Sequence, residues 1–406
     1  MSKNICRHTV TVALTCAAIL ALTVIITQPT QAQTFNVIYS FNTGLIGGFP
    51  FAGVTLDAHG NIYGTNNAFG SGYGSVYKLS YRNGAWIASA LYDFAGGTDG
   101  ALPASRVVFG PDGSLYGTTG EGGVGCNSHG CGTVFKLSPP PSTCRAVLCP
   151  WIETVLYRFT GGADGAVPLY GDIIFDSAGS IYGTTSGNAS NFGSVYKLTK
   201  SGGVWTETTL WAFTGGSDGF FPMGGVVFDG SGNLYGTMDT GVFELSPSQG
   251  GWTETVLHAF QYRTDGLSSE SNMIFDNAGN LYSDTFTLGP DEGGTVFEMS
   301  PSGGSWNFQV LYPFNRGGGT VGTSLIFDSA GNLYGVRASN ANGNGEAFEM
   351  SLVDGSWTYT TLHEFSGGNQ GSSPYEGMVM DANGNFWGTA SGGGEYNRGM
   401  VYEITP

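Results

Sequence analysis

The chain has 406 residues, with 14 Lys and Arg against 31 Asp and Glu and a formal net charge of −17. Such a surface lacks the basic patch that nucleic acids and anionic membrane surfaces need, so both are excluded as partners. The 69 glycines, and the lack of helical apolar periodicity beyond the N-terminus, point to an all-β chain with many tight turns.

Residues 1–32 read as an export signal. Lys3, Arg7 and His8 make a positive start, 10–26 is apolar with threonine interruptions, and Thr30 and Ala32 offer small residues at the −3 and −1 cleavage positions. The apolar stretch is long for a signal, so retention as an N-terminal anchor is the alternative. Cleavage leaves residues 33–406 with 12 basic and 31 acidic side chains. The expectation is a secreted, extracellular monomer with no membrane insertion after cleavage.

From there a repeat takes over. Copies begin at Asp57 (DAHGNIYGT), Gly110 (GPDGSLYGT), Asp176 (DSAGSIYGTT), Asp229 (DGSGNLYGT), Asp276 (DNAGNLYSD), Asp328 (DSAGNLYGV) and Asp381 (DANGNFWGT). A period near 50 residues signals a stacked or radial repeat architecture. Each copy reads as four strands. A short apolar run leads into a turn that opens on Asp, whose side chain accepts from the backbone two residues on, with a glycine that tolerates positive φ. The NLYGT-type segment is the second strand. GSVYKLS-type segments, such as 74–80 and 193–199, are the third. The fourth opens on Trp, as in WTETVLHAF at 252–260.

Only six fourth strands follow a third strand. FNVIYSF, at 35–41, matches the end of the missing one. The N-terminal strand is therefore expected to complete the last blade, which closes a ring and hides the sheet edges. The predicted fold is a seven-bladed β-propeller of four-stranded blades, formed by 33–406 as one domain. A linear β-solenoid is the competing architecture, and it leaves the complementary termini unexplained.

Cys6 and Cys16 fall within the signal. The other four cysteines cluster in the second repeat, where an exported chain is expected to form disulfides. The strand over 131–138 separates the two loops by about 20 Å, and a disulfide needs Cα atoms within about 7 Å. That favours Cys126–Cys131 and Cys144–Cys149. A zinc site, with His129 nearby, is the alternative.

WIETVLYRFTGGADG (151–165), DSAGSIYGTT (176–185) and GTVFKLS (132–138) resemble the GloVer, or Gloeo_Verruco, tandem-repeat family of exported bacterial proteins. The resemblance runs from about Phe35 to Pro406. It implies export, and it carries over no catalytic residue. Members often end in a sorting or anchoring tail. None follows Pro406 here, so release from the cell is the expectation. The Asp-x-x-Gly-Asn-Leu-Tyr portion is also similar to NHL-type propeller repeats, which supports the fold and leaves the ligand open.

Structural roles should recur between copies, whereas a site should be asymmetric. The residue four before each turn opener, near the channel end of the innermost strand, reads Gly53, Arg106, Asp172, Gly225, Asn272, Ser324 and Gly377. One step earlier, Glu376 stands where other copies carry Ala, Ser, Thr or Gly. Arg106, Asp172, Asn272 and Glu376 are therefore the candidate ligand-binding residues at the channel mouth. The competing reading makes Arg106 and Asp172 an interblade ion pair.

Asp99, Asp164, Asp218 and Asp265 recur in Asp-Gly loops and could hold calcium, which prefers oxygen ligands. A recurring turn closed by Asp on its own backbone explains them as well. No other cofactor is expected. The third-strand charge is Lys78, Lys136 and Lys197 in the first three copies, and Glu244, Glu298, Glu349 and Glu403 in the rest.

No nucleophile elbow, P-loop or paired-histidine metal motif occurs. The expectation is a non-enzymatic binding scaffold for an extracellular protein or glycan. The alternatives are a carbohydrate-active lyase or hydrolase using mouth carboxylates such as Asp172 and Glu376, and a purely structural surface protein.

Overall fold

The aromatic mark of each repeat is held by the turn that precedes it. In the computed structural model Asp176 Oδ1 accepts the N–H groups of Ala178 (3.0 Å) and Ser180 (2.8 Å), and Oδ2 accepts the Tyr182 hydroxyl (3.1 Å). Gly179 sits at φ 79°, a conformation that costs a glycine little. The same bonds recur at Asp57, Asp229, Asp276 and Asp328. In the second copy, where Gly110 opens the turn, Asp112 supplies the carboxylate to Ser114 N–H and Tyr116. In the seventh, Trp387 Nε1 donates to Asp381 at 3.2 Å. The repeat therefore needs an aromatic with a polar tip after the turn, and Tyr or Trp supplies one.

The structure describes residues 33–405 apart from 43, 45, 68–71, 127, 142–149, 189–190 and 316–323. Among them, seven antiparallel sheets of four strands form a seven-bladed β-propeller. Blades 1 to 6 span residues 55–93, 108–158, 174–212, 226–259, 274–315 and 326–364. Blade 7 takes its inner three strands from Val379–Met380, Phe386–Ala390 and Met400–Thr405 and its outer strand from Thr34–Ser40. The ring closes as the complementary termini predict. The first strands are only two residues long, three in blade 4, and shorter than the apolar runs suggested. The only helical element among the described residues is a 3₁₀ turn at Gly368–Gln370, and no helix there is long and apolar enough to cross a membrane. The proposed signal at 1–32 lies outside the described residues.

Buried aromatics fill the space between blades. The second strand carries a glycine below its tyrosine because the third-strand ring lies over it. A Cβ on Gly183 would stand 2.5 Å from the Tyr196 hydroxyl, and one on Gly117 2.8 Å from the tip of Phe135. Outer strands bulge where Leu91, Leu156 and Leu210 are inserted as extra residues, all three buried. The third-strand charges lie in register opposite the repeat aromatics. Lys78, Lys136 and Lys197 sit 5.1, 5.6 and 4.9 Å from the ring centres of Tyr63, Tyr116 and Tyr182. The later glutamates face the corresponding Tyr235, Tyr282, Tyr334 and Trp387. The charge switch is thus a change of neighbour for one recurring ring.

Cys126 and Cys131 are joined, with Cα atoms 5.1 Å apart. Cys144 and Cys149 lie outside the described residues.

Candidate functional site

The channel mouth is positioned by a threonine on the second strand. Thr184 Oγ1 donates to the Gly224 carbonyl of the next blade at 2.8 Å, and Thr389 reaches the Ala52 carbonyl at 2.8 Å. Thr65 and Thr237 make equivalent bonds to Ser105 and Ser271, and Thr118 reaches the Pro168 carbonyl, three residues earlier in the next segment. In blade 5 Asp284 takes that place and accepts the Ser271 hydroxyl at 2.7 Å. Blades 1 to 4 and blade 7 thereby hold the segment that carries the next blade's mouth residue, while Asp284 holds the segment of its own blade. This role was legible as the last letter of the repeated Tyr-Gly-Thr, which the sequence reading left unassigned.

The four candidate mouth residues line one cavity of about 310 Å³, together with Ser324. Below them the wall is apolar, formed by Val108, Ile174, Val227, Ile274 and Ile326 of the first strands. Arg106 and Asp172 come from neighbouring blades and form the ion pair that was one of the two readings. Arg106 donates Nε to Asp172 Oδ2 at 3.0 Å, and Nη2 to the same oxygen. Asp172 is 5% exposed, and its Oδ1 is buried with no hydrogen-bond partner. Asn272 spans blades 3 to 6. Its Oδ1 accepts the N–H groups of Asp172 (3.2 Å) and Gly225 (2.8 Å), and its Nδ2 donates to Ser324 Oγ at 2.7 Å. Its amide fixes the mouth, while Asp172 and Glu376 offer carboxyl groups to it.

Glu376 is also 5% exposed. Burial pushes its carboxyl well above the usual range, and the charges of Asp172 and Glu270 push the same way. Arg106 and the Gly53 N–H oppose that rise without cancelling it. Glu270 is pushed up to about 7, by burial first and by Asp239 second. Tyr170 is raised to about 12, by burial and then by Glu270, Tyr375 and Glu376. Tyr375 packs on Phe51 with ring centres 5.1 Å apart.

These rim residues were missed by the sequence reading, although the same asymmetry test finds them one residue further out. There the copies read Phe51, Ala104, Tyr170, Met223, Glu270 and Tyr375.

The four loop aspartates lie elsewhere, each folded onto its own loop. Asp99 accepts from Tyr92 (2.7 Å) and Ala95 N–H (2.6 Å). Asp164 accepts from Tyr157, from Thr160 twice and from Gly162. Asp218 binds the N–H and hydroxyl of Thr214. Asp265 accepts the Gln261 N–H and lies 2.7 Å from His258 Nε2. His258 thus occupies the place of Tyr92 and Tyr157 and packs flat on Phe308 at 3.9 Å. Among the described residues no group of three or more His, Cys, Asp or Glu could hold a metal ion.

The Gloeobacter/Verrucomicrobia repeat family matches residues 23–242 and 239–406. The chain belongs to that family. No curated protein matches this Gloeobacter/Verrucomicrobia repeat chain in sequence. Virginiamycin B lyase from Staphylococcus aureus is similar in structure, with TM-score 0.57 and 11% identity over 92% of this chain and 99% of its own. The extracellular domain of a candidate hybrid two-component system from B. thetaiotaomicron gives TM-score 0.54 and 12% identity, over 91% of this chain and 39% of that one. A candidate 6-phosphogluconolactonase from Bacteroides uniformis gives 0.51 and 16%, over 77% and 84%. At these identities the likeness shows the propeller fold alone.

Proposed function

We propose that this Gloeobacter/Verrucomicrobia repeat propeller is an exported binding protein whose channel mouth takes a small polyhydroxylated ligand, the end of a glycan. The observation that carries this reading is Asp172 Oδ1, a buried carboxylate oxygen with no partner, in a cavity of about 310 Å³. Leaving such an atom unmatched costs stability, and a hydroxyl donor from a ligand would satisfy it. The volume falls at the small end of ligand pockets, roughly 300–1,000 Å³. Aromatic side chains at the rim, Tyr170 close enough to feel the charge of Glu376 and Tyr375 packed on Phe51, suit a sugar, which presents both apolar faces and hydroxyls.

A thermal-shift screen of the purified chain against an oligosaccharide panel tests this. Ligand that binds only the folded state raises its melting temperature. A sugar-specific shift lost in both Asp172→Ala and Glu376→Ala is the expected result. A panel without any shift overturns the glycan reading.

A second reading rests on Glu376 and Asp172, two carboxyl groups lining one cavity, the first holding its proton through burial and the second bound by Arg106. A protonated carboxyl group and a second carboxyl group facing one cavity are the parts of a carbohydrate-cleaving site. New reducing or unsaturated ends released from a bound sugar, and lost in Glu376→Gln, would establish it. Binding without turnover keeps the scaffold reading.

A further inference from the structure

Two carboxyl groups, those of Asp172 and Glu376, line the mouth cavity with one guanidinium, and the charge of Glu270 reaches Glu376 from the rim. Arg106 is committed to Asp172 Oδ2. That leaves the buried Asp172 Oδ1 without a partner, beside Glu376 and Glu270 that hold protons in the free site, in a chain of net charge −17. An anionic ligand is therefore disfavoured. A neutral sugar would satisfy hydrogen bonds and leave both glutamates protonated. A protonated amine would do more, because an ammonium donates three hydrogen bonds and its charge lets the neighbouring carboxyl groups ionise and pair with it.

We infer that the ligand of the channel mouth is an amino sugar, free or at the end of an oligosaccharide, with its ammonium group between Asp172 and Glu376. This rests on the glycan reading above and narrows it to one class. The groups that face Glu376 are Arg106, Asp172, Glu270 and Tyr170, together with the Gly53 N–H. An ammonium beside them favours the ionised form of both glutamates, so binding expels protons that the free site holds.

The test is titration calorimetry of the purified chain with a glucosamine trimer, its N-acetylated counterpart and a glucose trimer. Each is run at pH 6 in two buffers of different ionisation enthalpy. The amino trimer is expected to bind at least tenfold tighter than either comparator and to release on the order of one proton. Asp172→Asn and Glu270→Gln should each lower that affinity several-fold, while Asp354→Asn, on an exposed hairpin remote from the mouth, should leave it unchanged. Glu270 lies on the rim, so its variant keeps the test open if Asp172→Asn fails to fold. Equal binding of the acetylated or glucose trimer overturns the amine inference and leaves the glycan reading standing. Binding of the amino trimer that all three variants leave unchanged would be attraction to the acidic surface, and also overturns it. Failure of every sugar to bind overturns both.

Discussion

Arg106 binds only one oxygen of Asp172, through Nε at 3.0 Å and through Nη2, and the other oxygen is buried without a partner. The pair joins blades 2 and 3 at the mouth, so it bears on stability as well as on binding. Arg106→Met removes the counter-charge of a carboxylate that is 5% exposed. Breaking a buried pair from one side costs about 3–5 kcal/mol, and solvent at the 27% exposed Arg106 side chain reduces this to about 2–3 kcal/mol. Adding Asp172→Asn to that variant should restore at least half of the loss, because the uncompensated charge is then gone. Urea unfolding of the single and double variants measures both. An unchanged midpoint in Arg106→Met would mean that water already screens the pair.

The outer strands predict a stability that falls as pH rises. Glu254 is pushed up to about 7 by burial first and by Asp218 second, and its Oε1 is buried without a partner. Glu153 is raised to about 7 by burial and by Asp99. Unfolded, both titrate near their ordinary value of 4.5. Each contribution is therefore fully present below about 4.5 and is lost as pH rises towards about 7. Glu254→Gln should be neutral at pH 4.5 and stabilising at pH 7.5. Partial exposure holds the gain to about 1 kcal/mol. Melting temperatures across that range test it, and parallel profiles for the two proteins would refute it.

Blade number and ring closure were legible in the sequence because each depends on comparing copies, and the same comparison singled out four residues that line one cavity. The turn aspartates announce their role by recurring, and Arg106 and Asp172 announce theirs by failing to. What the sequence left hidden is pairing in space. Asn272 reads as a polar intruder like Arg106. Yet its amide is consumed by Asp172, Gly225 and Ser324, whose segments are far apart in the chain. Glu270 and Tyr375 matter only because ring closure brings them to one rim, and no local pattern encodes that proximity. The third-strand switch from Lys to Glu became intelligible once register set each charge opposite a tyrosine or tryptophan.

The turn aspartate Asp328 predicts the opposite pH dependence. At Asp328 burial disfavours the charge, but the N–H groups of Asn332 and Ala330, the Asn332 amide and the Tyr334 hydroxyl outweigh it and lower the carboxyl. Its contribution is present above the ordinary value of 3.8 and is lost as pH falls below it. Asp328→Ala should cost about 1–2 kcal/mol at neutral pH, and the difference from the parent should shrink towards pH 3. A constant difference across that range would mean that the turn depends on shape and not on the carboxylate's charge.

Tyr196 offers a gain in stability from removing a single atom. Its side chain is fully buried between blades 2 and 3, edge-on to Phe159 at 5.0 Å, and its hydroxyl has no partner. Burial raises its proton affinity far beyond the working range, so the hydroxyl stays neutral and simply unsatisfied. Blades 2, 4, 5 and 6 carry Phe135, Phe243, Phe297 and Phe348 at the same place, all completely buried. The site therefore accepts a phenylalanine ring without rearrangement. An unmatched buried hydroxyl costs about 1–3 kcal/mol, and Tyr196→Phe should recover about 1 kcal/mol of it while leaving a void smaller than a methyl group. Tyr77→Phe and Tyr402→Phe should behave alike, since both hydroxyls are buried without partners in blades 1 and 7. The three sites lie in different blades and should add when combined. Denaturant midpoints of the single and triple variants decide the matter, and a loss in Tyr196→Phe would show that this hydroxyl is bonded in solution, to a trapped water.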